Sequence, residues 1–149
     1  MPKQQYFEAI LIGKSILLRE GLATILHSPR FRIVASVPWA DDLLLSHLQL
    51  ERPLFLIAHT GDDFETAVEQ IEVIRNRDPN GRIAMVTDRY RRVELVSALR
   101  AGANGYFVDV MTCDVFVKSI ELVMMGETIY PPAFLSFVLD TDTSTLDES

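Results

Sequence analysis

The stretch Ala9-Ile10-Leu11-Ile12-Gly13-Lys14-Ser15-Ile16-Leu17-Leu18-Arg19-Glu20-Gly21-Leu22 decides the fold. Its first four residues are continuously apolar and end at a glycine. That pattern predicts a short strand covered on both faces. After Gly13-Lys14-Ser15 the apolar spacing becomes that of an amphipathic helix. The same change recurs down the chain. Strands are predicted at residues 7–12, 31–37, 54–59, 83–87 and 105–108. Amphipathic helices are predicted at residues 16–27, 41–50, 64–77, 91–101 and 114–125. Ser28-Pro29, Arg52-Pro53, Asp78-Pro79-Asn80-Gly81 and Gly102-Ala103-Asn104-Gly105 separate them as turns.

Five strands alternating with five helices predict a doubly wound α/β domain with a parallel sheet. The flavodoxin-like strand order 2-1-3-4-5 is the common solution at this size. A chain of 149 residues, 48% of them hydrophobic, holds one such domain and a short extension. We place the domain at residues 1–130. Residues 131–149 read as a helical turn or two, followed by the start of an acidic, polar linker rich in Asp, Thr and Ser.

The net charge of −7 does not attract nucleic acid by itself. The one basic cluster, Arg89, Arg91 and Arg92, reads as the solvated start of a helix. No apolar run approaches the roughly 18 residues of a membrane span. The N-terminus lacks the apolar region of a signal peptide. Cys113 is the only cysteine and reads as a plain helix-start residue, so a reducing cytoplasm is expected.

In open α/β sheets, ligands bind at the carboxyl ends of the strands near the switch point. Gly13 and Lys14, His59, Thr87 and Asp109 end strands one, three, four and five, so they are expected to converge. Gly13-Lys14-Ser15 looks like the tail of a phosphate-binding loop. The upstream glycine of that motif would fall at Glu8, which argues against it. Asp62 and Asp63, just past His59, read as a helix N-cap.

The opening stretch, together with Met85-Val86-Thr87 and Gly102-Ala103-Asn104-Gly105-Tyr106-Phe107-Val108-Asp109, resembles the receiver domain of bacterial two-component response regulators. The NarL/FixJ (LuxR-output) branch is the nearest match. It is carried by Arg19-Glu20-Gly21-Leu22, Ala98-Leu99-Arg100-Ala101-Gly102-Ala103-Asn104-Gly105-Tyr106 and Gly126-Glu127, over roughly residues 6 to 127. The resemblance implies a CheY-like fold. It also implies a regulatory, non-enzymatic role in controlling a LuxR-type helix-turn-helix output domain, which these residues do not include.

It further implies which residues would do the chemistry, and most differ here. Receivers carry two acidic residues after the first strand, a phosphorylatable Asp after the third and a Lys after the fifth. This chain has Gly13 and Lys14, His59 and Asp109 in those places. Only the hydroxyl after strand four, Thr87, is kept. Receivers hold Mg²⁺ with their carboxylates, and the metal and Lys neutralise the phosphoryl group. With Lys14 at the old metal position, Mg²⁺ is expected to be lost and no other cofactor is expected. Lys14 and Asp109 are expected to form a salt bridge across the pocket mouth. His59 is expected to be hydrogen-bonded within it. Tyr106 matches the aromatic that receivers swing between inward and outward positions.

The helix at residues 114–125 carries more apolar residues than one buried face needs. With Phe116, Ile120 and Val123 as core, Val117, Leu122, Met124 and Met125 are expected to supply a homodimer interface. The expected partners are therefore a second copy, DNA through an output domain, and a sensor kinase or other signalling protein. Two other readings stay open: a purely structural dimerisation module, and a small nucleotide-binding α/β protein.

Overall fold

The computed structural model describes residues 6–43, 53–59, 64–108 and 112–130. Five parallel strands form one sheet in the order β2-β1-β3-β4-β5. They are β1 (Phe7–Ile12), β2 (Phe31–Val37), β3 (Leu54–His59), β4 (Arg82–Thr87) and β5 (Gly105–Val108). All pairings are parallel, and Ile12 lies against Ile57 and His59 against Thr87. Every residue of β3, the central strand, is buried. This is why β3 reads as an unbroken apolar run up to His59.

Alternation along the strands divides the core between two faces. On one face Leu11, Leu56 and Phe107 meet helices α1 (Ile16–Ile25) and α4 (Cys113–Met124) through Leu22, Phe116 and Ile120. On the other, Ile10, Phe55, Ile57 and Tyr106 meet α2 (Phe64–Arg77) and α3 (Arg92–Ala101) through Ile71, Ile74 and Leu95. Phe107 sits edge-on to Phe116, with centroids 5.4 Å apart, and fixes α4 against β5.

The helix ends follow their local chemistry. Ser15 accepts the Leu18 N–H at 3.2 Å and opens α1; Thr112 accepts the Val115 N–H at 3.3 Å and opens α4. Gly102, at φ 122°, ends α3 in a conformation that side chains resist. The last turn of α4 has no basic residue of its own. Arg82 of β4 fills that role, donating to the Val123 and Glu127 carbonyls at 2.7 and 2.8 Å. Beyond α4 the chain runs extended along the free edge of β5. Tyr106 N–H donates to Ile129 and Ile129 N–H donates to Asn104, both at 3.0 Å.

Two expectations are corrected. The helix predicted from residue 41 does not begin there. Ala40–Asp42 form a single 3-10 turn, and Leu43 is already extended. Residues 44–50 lie outside the described part, as do 131–149. Met124 is buried in the core at 3% exposure rather than at a surface. With Phe116, Ile120 and Val123 it completes an i, i+4, i+7, i+8 stripe, which is wider than the three positions first assigned to the core. Val117 is half-buried against the same cluster, whereas Leu122 and Met125 are exposed.

Candidate functional site

β1 and β3 are neighbours, but their connections leave in opposite directions across the sheet, so a crevice opens at their carboxyl ends. A cavity of about 230 Å³ occupies it. It is lined by Gly13, Lys14 and Ser15, by Ala58 and His59 of β3, by Thr66 and Gln70 of α2, and by Trp39 just past β2.

Gly13 is held close. Its N–H donates to the Val37 carbonyl at 3.1 Å. A Cβ placed on it would stand 2.8 Å from the Ala58 carbonyl oxygen and 3.1 Å from the Ala58 Cβ. Backbone packing therefore reserves this position for glycine. The side chain of Lys14 is exposed, and its ammonium lies over the Trp39 ring, 5.1 Å from the centroid. Asp109, the expected salt-bridge partner, lies outside the described residues, as do Asp62 and Asp63.

His59 is 7% exposed and packs edge-on to Phe64 at 5.8 Å. Its Nε2 is buried and has no hydrogen-bond partner among the described residues. Gln70 accepts the Ala40 N–H in the interior and ties α2 to the turn after Trp39. Gly13, Lys14 and His59 offer no side-chain oxygen, and Lys14 adds positive charge. These residues do not fit Mg²⁺, which needs hard oxygen ligands.

Thr87 and Tyr106 sit on the neighbouring strands, both buried. The Thr87 hydroxyl reaches the Asp88 carboxylate at 3.4 Å. Tyr106 points inward. Its hydroxyl donates to the Arg89 carbonyl at 3.3 Å and accepts the Arg91 N–H at 3.4 Å, and its ring stands edge-on to Tyr90. The phenol thereby pins the loop between β4 and α3. Burial, and then the charges of Glu94 and Asp88 and the Tyr90 phenol, raise its pKa above the ordinary 10. The neutral phenol is therefore the folded form. Its stabilising contribution is complete below pH 10 and lost as pH rises above it. Tyr106→Phe is expected to flatten the alkaline limb of a stability–pH curve; an unchanged limb would show that another group sets it.

In the basic cluster, Arg91 holds the N-cap position of α3 without a side-chain cap hydrogen bond and Arg92 begins the helix. Cys113 is the exposed first residue of α4. Sequence reasoning missed Trp39. The available signal was a lone tryptophan two residues after a predicted strand, at the sheet end where ligands bind.

No protein-family model matches the chain, and no curated protein matches its sequence. Solved structures do match. A two-component response regulator of the LuxR family from Aurantimonas sp. SI85-9A1 superposes with a TM-score of 0.78 at 20% identity, covering 93% of this chain and 99% of that one. The signal receiver domain of the putative response regulator NarL from Mycobacterium tuberculosis gives 0.67 at 19%, covering 83% and 99%. The isolated receiver domain of RcsB from Salmonella enterica serovar Typhimurium gives 0.70 at 14%, covering 86% and 95%. Sheet order, helix placement and these superpositions agree: the chain has the CheY-like receiver fold found in response regulators of the NarL and LuxR type.

Proposed function

We propose that this chain is a receiver-type regulatory module of a transcriptional response regulator that works without aspartyl phosphorylation. The observation that carries the reading is the strand-end pocket. Glycine packed against the Ala58 carbonyl and Lys14 stand where receivers carry metal-binding carboxylates, and buried His59 stands where they carry the acceptor. Asp109 in place of the usual Lys adds a negative charge that repels phosphate. The module is regulatory rather than enzymatic. Its proposed output is a LuxR-type DNA-binding domain, and a sensor kinase or other signalling protein is its proposed input.

Without a phosphoryl trigger, homodimerisation is constitutive and set by concentration. The proposed contact is the outer stripe of α4, where Val115, Leu122 and Met125 are 50, 44 and 72% exposed. Val117 contributes at its margin. Exposed Ile16 and Leu17 at the start of α1 extend the apolar surface. Such a dimer holds two outputs at fixed spacing. Sedimentation across a wide concentration range tests this, with and without acetyl phosphate and Mg²⁺. Wild type is expected to dimerise equally in both conditions, and Leu122→Lys to dimerise at least about tenfold more weakly, the equivalent of one lost apolar anchor. A phosphodonor-dependent dimer would reject the constitutive reading, and a Leu122→Lys dimer as tight as wild type would reject the α4 contact.

A further inference from the structure

We propose that Met125 is a modification site: oxidation of its thioether to the sulfoxide, by a two-electron oxidant such as hydrogen peroxide, dissociates the homodimer formed through α4. The inference rests on the α4 contact proposed above, and it names what regulates that contact.

Exposure singles the residue out. Met125 is 72% exposed at the end of α4, whereas Met124 and Met85 are buried at 3% and 0%. A solvated thioether meets an oxidant in water; one sealed in a close-packed core does not. Met1 and Met111 lie outside the described residues. In the step itself, a sulfur lone pair attacks one peroxide oxygen. The O–O bond breaks and an S–O bond forms. The departing hydroxide takes the proton from the new S–OH group and leaves as water. Sulfur loses two electrons and the peroxide gains them. Methionine sulfoxide reductases reverse the change.

Position gives the change its consequence. Met125 lies three residues past Leu122, so the two side chains are neighbours on the helix surface. Both belong to the exposed apolar stripe that Val115 begins. A thioether in such a stripe is an adaptable apolar contact. A sulfoxide is polar. Its oxygen is hydrated in the monomer and loses that water, without gaining a donor, when an apolar contact closes over it. Oxidation acts on the monomer, because the dimer covers the sulfur, and an equilibrium set by concentration keeps both forms present. Oxidation therefore disfavours the dimer, and dimerisation shields the sulfur.

The test uses the full chain carrying Cys113→Ser, because the one cysteine is exposed and could otherwise link two copies through a disulfide. Dilute protein is treated with hydrogen peroxide, the added oxygen is located by peptide mass, and the dimer dissociation constant is measured by sedimentation. The expected result is oxygen on Met125 and none on Met124 or Met85. The oxidised dimer should be at least about tenfold weaker, the scale of one apolar side chain lost from a contact. Methionine sulfoxide reductases should restore its affinity. Met125→Leu should show the same dissociation constant before and after peroxide. Equal weakening of Met125→Leu by peroxide, an unchanged dimer once Met125 carries oxygen, no recovery after reduction, or Met125 reacting no faster than Met124 would each overturn the proposal and leave the α4 contact standing. A chain that is monomeric at high concentration before any treatment, or a Leu122→Lys dimer as tight as wild type, removes the contact and this proposal together.

Discussion

Gly13→Asp, which puts a carboxylate back where receivers have one, is expected to lower stability by about 3 kcal/mol, near the top of the range for forcing atoms into a packed interior. The melting temperature should fall by roughly 10 °C for a domain of this size. The cause is the Cβ, which has no room 2.8 Å from the Ala58 carbonyl oxygen. That carbonyl belongs to β3, whose pairing with β1 holds the centre of the sheet. Neither strand can yield without disturbing the register of Ile12 against Ile57. Gly13→Ala should therefore cost nearly as much as Gly13→Asp, which separates crowding from charge. Gly21→Ala is the control. Gly21 lies in α1 with nothing within 4 Å of its would-be Cβ, so alanine should stabilise by about 0.5–1 kcal/mol. Thermal melts of the three variants check this. A Gly13→Ala protein as stable as wild type would show that the strands have slack at this point.

The second large effect is expected at the opposite end of the sheet. Arg75→Leu should destabilise by about 2–3 kcal/mol, since hydrogen bonds from a charged group are lost and their acceptors left unpaired. Arg75 of α2 donates to the Gly102 carbonyl at 3.2 and 2.7 Å, to Pro79 at 3.0 Å, to Gly81 at 2.6 Å and to the Asn104 side chain at 2.8 Å. Asn104 in turn accepts the Ile83 N–H at 3.0 Å. One guanidinium thus joins the turn before β4, the end of α3 and the turn before β5. Burial lowers its pKa from the usual arginine value, partly offset by Asp78, and the group stays charged. Arg75→Lys should recover little, because an ammonium lacks the planar fork that serves both sides. Urea unfolding of both variants measures this. Full recovery by lysine would mean that charge alone, not geometry, matters here.

Much of the fold was legible because the local signals agree with one another. β3 was placed to the residue, because a strand buried on both faces must be apolar throughout. The starts of α1 and α2 also matched. What escaped depends on contacts between residues far apart in sequence. Nothing local to Gly13 announces the Ala58 carbonyl, forty-five positions away, that forbids it a side chain. Arg75 reads as an ordinary basic residue near a helix end, and only the tertiary arrangement shows it bonded to two loops, one before β4 and one before β5. Met124 was misplaced because helical periodicity gives the direction of the buried face but not its width. The width is set by how deeply α4 beds against β5, seen in the Phe107–Phe116 contact. Strand-end reasoning singled out Lys14 and His59, and both line one cavity; Trp39, and a His59 Nε2 without a hydrogen-bond partner among the described residues, show only in the tertiary arrangement.

The altered pocket has its most direct test in intact mass. The protein is incubated with acetyl phosphate and Mg²⁺, alongside a receiver that carries the full acidic set. The control should gain one phosphoryl group. This chain should keep its mass, because Gly13, Lys14 and His59 present no carboxylate to the metal or to the phosphoryl group. A Mg²⁺-dependent gain of one phosphoryl group on this chain would contradict the account, and locating it on His59, Asp62, Asp63 or Asp109 would show which residue had taken over the acceptor's role.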